Sequence, residues 1–579
     1  MAQWLPLLFL IVLPRLVQAQ LVYTLNDNSI TITGYAGPSG NVVIPNTING
    51  YYVTSIGDYA FLENTSLTSV TIPNSVTNIG DESFCSCTSL TNAILPDSII
   101  SIGEFAFAGC SSLTNFMIPD SVTSIGTNAF EECSSLTSIT IPNGVTSIDD
   151  SAFASCTSLT NVILPDSIIN IEEFAFAGAS LTNLTLPDSV TCIGQGAFQG
   201  CNSLSTIIIP DSVTNIEVDA FLDCTSMTSI SVDVDNQDYS SLNGILFDKA
   251  QDALLECPSA LTNTDYTIPE GVVTNAENAF WYCPNLAKIT IPGSLTNIVG
   301  TPFYDCTGLT NICVNSTNPA YSSLNGVLFD KAQDTLLQYP PGLTNASYTI
   351  PNSVTDLQDY AFSDCINLVN ITIPNSVTNM GYGAFLGCTS LASVVIPKGV
   401  TSIPEQTFSE CISLADVIIP YSVTNIGELA FSQCISLTSV TIPASAATIG
   451  DFAFESLPAL ASVYFEGNAL PNIGRVFYDD PGTIVYYLPG ATGWAATYDD
   501  VTTELWNPQA QNASVTAGQF GFSITGPTNA TVVIQACTNL ANPVWIPVST
   551  NTFDSNGASS FSDAQWANHP SRFYRFSSW

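Results

Sequence analysis

A proline recurs every 23 residues through much of this chain, and that spacing limits the fold more than any other feature. Pro73, Pro96, Pro119, Pro142 and Pro165 each close a short apolar triplet. Pro187 follows after 22 residues, where Ala179-Ser180 replaces a longer Cys-Ser-Ser stretch, and Pro210 restores the period. The same phase runs through Asp233, Pro269, Pro292, Asn315, Pro351, Pro374, Pro397, Pro420 and Pro443 to Glu466 and Pro489, which with Pro45 makes about 19 rungs. A strict repeat of this length cannot bury its own apolar face. It must stack on its neighbours as a solenoid.

One rung explains the stacking. Leu136, Ile139 and Ile141 follow the pattern Leu-x-x-Leu-x-Leu, and the alternation of Ile139 and Ile141 around Thr140 predicts a strand. Pro142 has no N–H and ends the ladder at a corner. Val145 and Ile148 predict a second short extended segment, Ala152-Phe153 a short helical turn that carries a large ring inward, and Cys156 the close of the rung. Two rungs are longer by 13 residues and match each other, Tyr239–Asp252 and Tyr321–Asp334. Their Asn243-Gly244 and Asn325-Gly326 dipeptides predict β-hairpins near 239–257 and 321–339 that project from the solenoid.

The repeat, as in Leu67-Thr-Ser-Val-Thr-Ile-Pro73 and Ala129-Phe-Glu-Glu-Cys133, resembles the BspA-like leucine-rich repeat of bacterial and protist surface proteins, over residues from about 20 to about 505. The resemblance implies a β-rich leucine-rich-repeat solenoid and a secreted or surface-displayed binding protein, in some members an adhesin for host matrix proteins. It carries no particular ligand to this chain.

Both ends depart from the period. Leu5–Leu13 is an apolar stretch, and Val17-Gln18-Ala19 suits cleavage after Ala19, so 1–19 is expected to be a signal peptide of an exported bacterial protein. The stretch is far shorter than the ~20 residues of a membrane span, and no span is expected in the mature chain. Ser29–Thr33 and Val42–Ile44 predict a β-hairpin capping the first rung, within a solenoid of 20–506. Tyr486–Gly490 leads into Trp494 and Trp506, an aromatic plug over the last rung. In 507–579, Phe520–Ile524, Thr531–Ile534 and Arg572–Phe576 alternate between turns, which predicts a small antiparallel β-sandwich. Its Ala536-Cys-Thr-Asn-Leu540 and terminal Arg-Phe-Tyr-Arg resemble a tail module of exported proteins from verrucomicrobial-type bacteria.

Composition narrows function by exclusion. Eight Lys and Arg face 49 Asp and Glu, a net charge of −41 that repels phosphate backbones and anionic lipid. The single histidine, His569, leaves no material for His-based triads or His-ligated metals. No G-x-S-x-G, H-E-x-x-H or P-loop pattern occurs, and no cofactor is expected. Asp233-Val-Asp-Asn-Gln-Asp238 has the alternating oxygens of a calcium loop, yet its copy at Asn315–Ala320 keeps no carboxylate, which argues against a shared calcium site. Twelve of the 17 cysteines hold one repeat position, among them Cys87, Cys133 and Cys411, and a position repeated rung after rung suits a column of buried thiols better than disulfides.

These exclusions favour a non-enzymatic binding or adhesion protein with an extracellular protein or polysaccharide partner; a structural envelope or biofilm component is the alternative. The candidate contact residues lie where the first strand of each rung faces outward: Ile94, Met117, Thr140, Ile163, Thr185 and Ile208. Beside them runs a second outward column of Ser69, Asn92, Asn115, Ser138, Asn161, Asn183 and Thr206.

Overall fold

The computed structural model describes residues 20–579 apart from 39, 472, 473, 481, 517, 529, 542, 570, 578 and 579. The expected signal peptide lies outside the described residues. The chain forms two units, the first ending at Gly308 and the second beginning at Leu309. Each contains a stack of the predicted rungs.

In the first unit, the strand Ser138–Thr140 pairs in parallel with Asn161–Ile163 one rung on, and Ser147–Ile148 pairs with Asn170–Ile171. The Ile141 N–H donates to Ile163 O at 3.0 Å, after which Pro142 turns the chain. A recurrent serine past that corner ties rungs together, as when the Ser167 hydroxyl donates to Val145 O at 2.7 Å. Ile139, Val145, Ile148 and Phe153 are all buried, so one face of every segment serves the core.

The Ala-Phe segment is not the helical turn expected. A helix would close its N–H groups within the segment. Here alternate N–H groups leave it: Ser151, Phe153 and Ser155 donate to Glu173, Ala175 and Ala177 O at 2.8, 2.9 and 2.6 Å. The N–H groups between them close three-residue turns, Ala152 on Asp149 O and Ala154 on Ser151 O. Ser151 and Ser155 take positive φ, 52° and 57°, to permit this, and Gly178 and Gly200 stand at later copies of the second position with φ of 71° and 67°. Among the described residues the only helical element is a 3₁₀ turn, Trp566–Asn568. The interlocked turns stack phenyl rings: Phe107, Phe130, Phe153 and Phe176 follow one another at 5.3–5.5 Å and within 8° of parallel. The second unit repeats the device from Phe362 through Phe385 and Phe408 to Phe431.

Both inserts turn where expected, with φ of 53° and 83° at Asn243-Gly244 and 53° and 84° at Asn325-Gly326. They do not project. Tyr239–Leu242, Ile245–Asp248 and Ala253–Glu256 form an antiparallel meander whose last strand rejoins the stack in parallel with Thr274–Asn275. Ile245, Leu246 and Phe247 are buried, as are Val327, Leu328 and Phe329 in the copy, and this burial holds each insert against its unit. The N-terminal hairpin also differs: Leu21–Asn26 pairs with Ser29–Tyr35, while Gly40–Val43, which contains Val42, opens the first-strand ladder against Leu67–Thr71.

The C-terminal module has two three-stranded antiparallel sheets. One contains Gln509–Thr516, Gln519–Thr525 and Ala558–Asp563, the other Ile546–Thr552, Thr531–Cys537 and Phe573–Ser577. Phe522, Ile524, Val532, Ile534 and Phe561 form one buried cluster between them.

Candidate functional site

All six outward residues singled out by the repeat phase are exposed. Ile94, Met117, Ile163 and Ile208 keep 52, 82, 54 and 65% of their surface accessible, while their inward neighbours Ala93, Phe116, Val162 and Ile207 are buried. Asn92, Asn115, Ser138, Asn161, Asn183 and Thr206 make the polar column beside them, also exposed.

The ladder beneath this face is interrupted, which the repeat did not announce. Gly40–Val43, Leu67–Thr71 and Asn92–Ile94 form one sheet, and Ser138–Thr140 with Asn161–Ile163 forms the next. The segment Asn115–Met117 between them pairs with neither. Phe116 supplies the reason. It occupies the inward place held by Ala93, Ile139 and Val162 in nearby rungs, and its ring stands edge-on to Phe107 and Phe130, 4.9 Å from each. A ring of that size fills the core but holds its own backbone out of register. A second interruption falls at Asn183–Thr185, where the rung is one residue shorter and only the bridge Asn161–Asn183 remains.

The first interruption opens a groove of about 690 Å³, lined by Ile94, Met117 and Thr140 on the outward column and by Asp97 and Asp120 at the following corner. Those carboxylates belong to a column of their own. Asp97, Asp120, Asp166, Asp188 and Asp211 each follow the rung's proline, all are exposed, and each stands three residues after an outward candidate. The rungs bearing Thr71 and Thr140 have Asn74 and Asn143 there instead. The signal was present in the sequence as a proline-aspartate pair that follows all four apolar outward residues and also Thr185.

The same outward position has another fate near the end of the second unit. Thr441, Tyr464, Tyr486 and Glu504 are consecutive partners along the ladder. Tyr464 and Tyr486 are outward in register yet only 2% and 1% exposed, because the C-terminal module lies on them. The Thr531 N–H donates to the Tyr464 hydroxyl at 2.9 Å, the Tyr486 hydroxyl donates to Thr528 O at 3.2 Å, and Trp506 Nε1 donates to Thr531 O at 3.4 Å. Trp506, expected to plug the last rung, is part of this joint. Trp494 does close the rung, stacked on Tyr487 at 5.2 Å.

The repeat-position thiols form the expected columns, most of them donating S–H to the carbonyl of the preceding rung's phenylalanine: Cys110 to Phe84 at 3.2 Å, Cys133 to Phe107 at 3.2 Å, Cys411 to Phe385 at 3.2 Å. Cys283 faces Cys257 O and Pro258 O instead, and Cys365 faces Ser363 O and Tyr339 O. All 17 cysteines are unpaired, and burial pushes Cys87, Cys156 and Cys201 up to about 12, so these thiols stay protonated and unreactive. In the calcium-like stretch, Asn236 is buried and already satisfied: its Nδ2 donates to Pro210 O and Val213 O at 2.8 and 2.9 Å, and its Oδ1 accepts the Asp238 and Tyr239 N–H groups. Among the described residues no three His, Cys, Asp or Glu side chains converge as a metal would require.

Comparison with known proteins decides the family. The BspA type leucine-rich repeat region matches at residues 54–168, 146–249, 255–333 and 341–468. The chain belongs to this family. The match stops before the C-terminal module. Among solved structures, this BspA-type chain is similar to a leucine-rich cell surface protein of Faecalibacterium prausnitzii A2-165, with 34% identity over 68% of this chain and 92% of that one and a TM-score of 0.46. It is similar also to a leucine-rich repeat protein of Bacteroides ovatus, with 27% identity over 74% and 94% and a TM-score of 0.39. A leucine-rich repeat protein of Eubacterium ventriosum shares 23% over 76% and 93%, with a TM-score of 0.37. None of the curated proteins matches. Among the described residues no helix is long and apolar enough to cross a membrane.

Proposed function

We propose that this chain is a secreted or surface-displayed bacterial binding or adhesion protein without enzymatic activity, whose outward strand face in the first unit contacts an extracellular protein or polysaccharide. One observation carries the reading: Ile94, Met117, Ile163 and Ile208 recur at one register position and remain largely in water. Scattered apolar residues need no explanation, but a column of them flanked by polar side chains is the pattern of an interaction site. The apolar Leu5–Leu13 stretch ahead of Val17-Gln18-Ala19 supports export. The reading as a non-enzyme is supported by the buried repeat-position thiols and by the lack of G-x-S-x-G, H-E-x-x-H and P-loop patterns in the sequence.

The test replaces Ile94, Met117 and Ile163 together by Asp. Capture of host-matrix proteins and of arrayed glycans is expected to disappear in the triple variant while thermal unfolding stays nearly unchanged. A variant that unfolds would place those side chains in the core. A wild-type chain that captures nothing from either source would leave the structural envelope role as the better reading.

A further inference from the structure

The groove at the first ladder interruption has three properties that together specify an occupant. Its floor is apolar, from Ile94 and Met117. One wall is acidic, from Asp97 and Asp120, and the wall continues at the same corner position through Asp166, Asp188 and Asp211. No compensating cation lies nearby in sequence: the chain has no lysine or arginine between Arg15 and Lys249. Rungs are spaced by about 4.8 Å, so the carboxylates form a line of negative charge along the stack, broken at Asn143, beside the outward apolar column. A third property is the backbone itself. Asn115–Met117 pairs with neither neighbouring strand, and the facing sides of Asn92–Ile94 and Ser138–Thr140 lack strand partners, leaving main-chain donors and acceptors at the groove.

We infer that this groove, together with the strand face that continues it, binds a cationic polypeptide segment, its apolar side chains on Ile94 and Met117 in the groove and on Ile163 beyond it, and its Lys or Arg side chains along Asp97 and Asp120 and on to Asp166. The inference rests on the reading of the outward face as a binding surface and adds the chemical class of the partner. Charge complementarity argues for a cation, since an anionic glycan would meet a wall of its own sign. The unpaired main chain argues for a polypeptide, whose amides can answer it. The molecule also shows such docking once on itself: in the second unit the outward column at Tyr464 and Tyr486 is covered by protein, and the bonds there run between tyrosine hydroxyls and the main chain of Thr528 and Thr531.

The probe is a fluorescein-labelled twelve-residue peptide of alternating Lys and Leu, with an alternating Glu and Leu peptide as its mirror in charge. Both are titrated into the full chain by fluorescence anisotropy at low and physiological salt. Two variants carry the same change in net charge: D97N/D120N/D166N along the acidic wall of the groove and its continuation, and E82Q/E104Q/E132Q at the rung bends away from it. Binding of the Lys peptide alone, weakened at least about tenfold in the groove variant and less than about twofold in the bend variant, is the expected result. Equal weakening in both variants would mean that affinity follows net charge, and the inference falls. Failure of the Lys peptide to bind also overturns it. If arrayed glycans are then still captured and I94D/M117D/I163D abolishes that capture, the face remains a binding surface and only the cationic partner is wrong.

Discussion

One register position of the repeat meets two environments. In the first unit Ile94, Met117, Ile163 and Ile208 stand in solvent beside a line of aspartates. In the second, Tyr464 and Tyr486 stand at the equivalent position under the C-terminal module. The difference teaches what an outward apolar residue means in such a stack. It has no role in the core, so its value lies in what comes to cover it: at Tyr464 and Tyr486 the chain's own C-terminal module does, while Val395 and Ile418 earlier in the second unit stay exposed. The residue choices agree: tyrosine carries a hydroxyl that a buried joint can satisfy, whereas isoleucine and methionine leave no polar atom to satisfy.

That contrast is sharpest in a paired mutational experiment. Tyr464→Ala with Tyr486→Ala removes two buried rings and their bonds to Thr528 and Thr531, with an expected loss of about 3–5 kcal/mol for each ring. Denaturant unfolding should show it, together with faster proteolysis of the module. The Asp substitutions at Ile94, Met117 and Ile163 should each change stability by less than about 0.5 kcal/mol. Equal effects in the two regions would abolish the distinction.

Phe116 tests the origin of the groove. Phe116→Val should destabilise by about 2 kcal/mol through lost burial and yet let Asn115–Met117 join the ladder, slowing amide exchange there roughly tenfold. Unchanged exchange would mean that something other than the ring holds the segment apart.

The carboxylates differ between the regions as the apolar residues do. Asp480, in the second unit, is buried; its Oδ1 accepts the Leu457 N–H at 2.6 Å and its Oδ2 has no partner among the described residues. Desolvation raises it to about 7. The folded chain therefore keeps this proton to higher pH than an unfolded one, whose aspartates titrate near about 3.9. The stability it contributes is complete below about pH 4 and is lost as pH rises through about 7. Asp480→Asn should accordingly stabilise by about 1–2 kcal/mol at pH 8 and by almost nothing at pH 4, measured as urea midpoints.

The thiol columns carry the smallest expected effect. Cys133→Ala removes one S–H···O contact and a small volume, about 1 kcal/mol, while Cys365→Ala should lose less because its contacts to Ser363 O at 3.6 Å and Tyr339 O at 4.0 Å are both longer than the 3.2 Å of Cys133 to Phe107 O. Titration of the denatured, unreduced protein should find most of the 17 thiols free. Fewer than about six would restore a disulfide framework.

Much of this architecture was legible in the chain because it is local and repeated. The period, the inward and outward alternation around Thr140, the Asn-Gly hairpin turns and the column of cysteines all follow from how one rung must sit on the next. What the tertiary structure alone decided involves partners that spacing does not name. Ala152-Phe153 could close its N–H groups within its own turn or share them with the next rung, and stacking chose the second. Phe116 reads as one more inward apolar residue, but its volume is set against Phe107 and Phe130, so only packing reveals the interrupted ladder. Tyr464 and Tyr486 read as two outward aromatics among many. Their partners, Thr528 and Thr531, lie 42 and 67 residues further along a segment with a different period, and only the returning chain could bring them there.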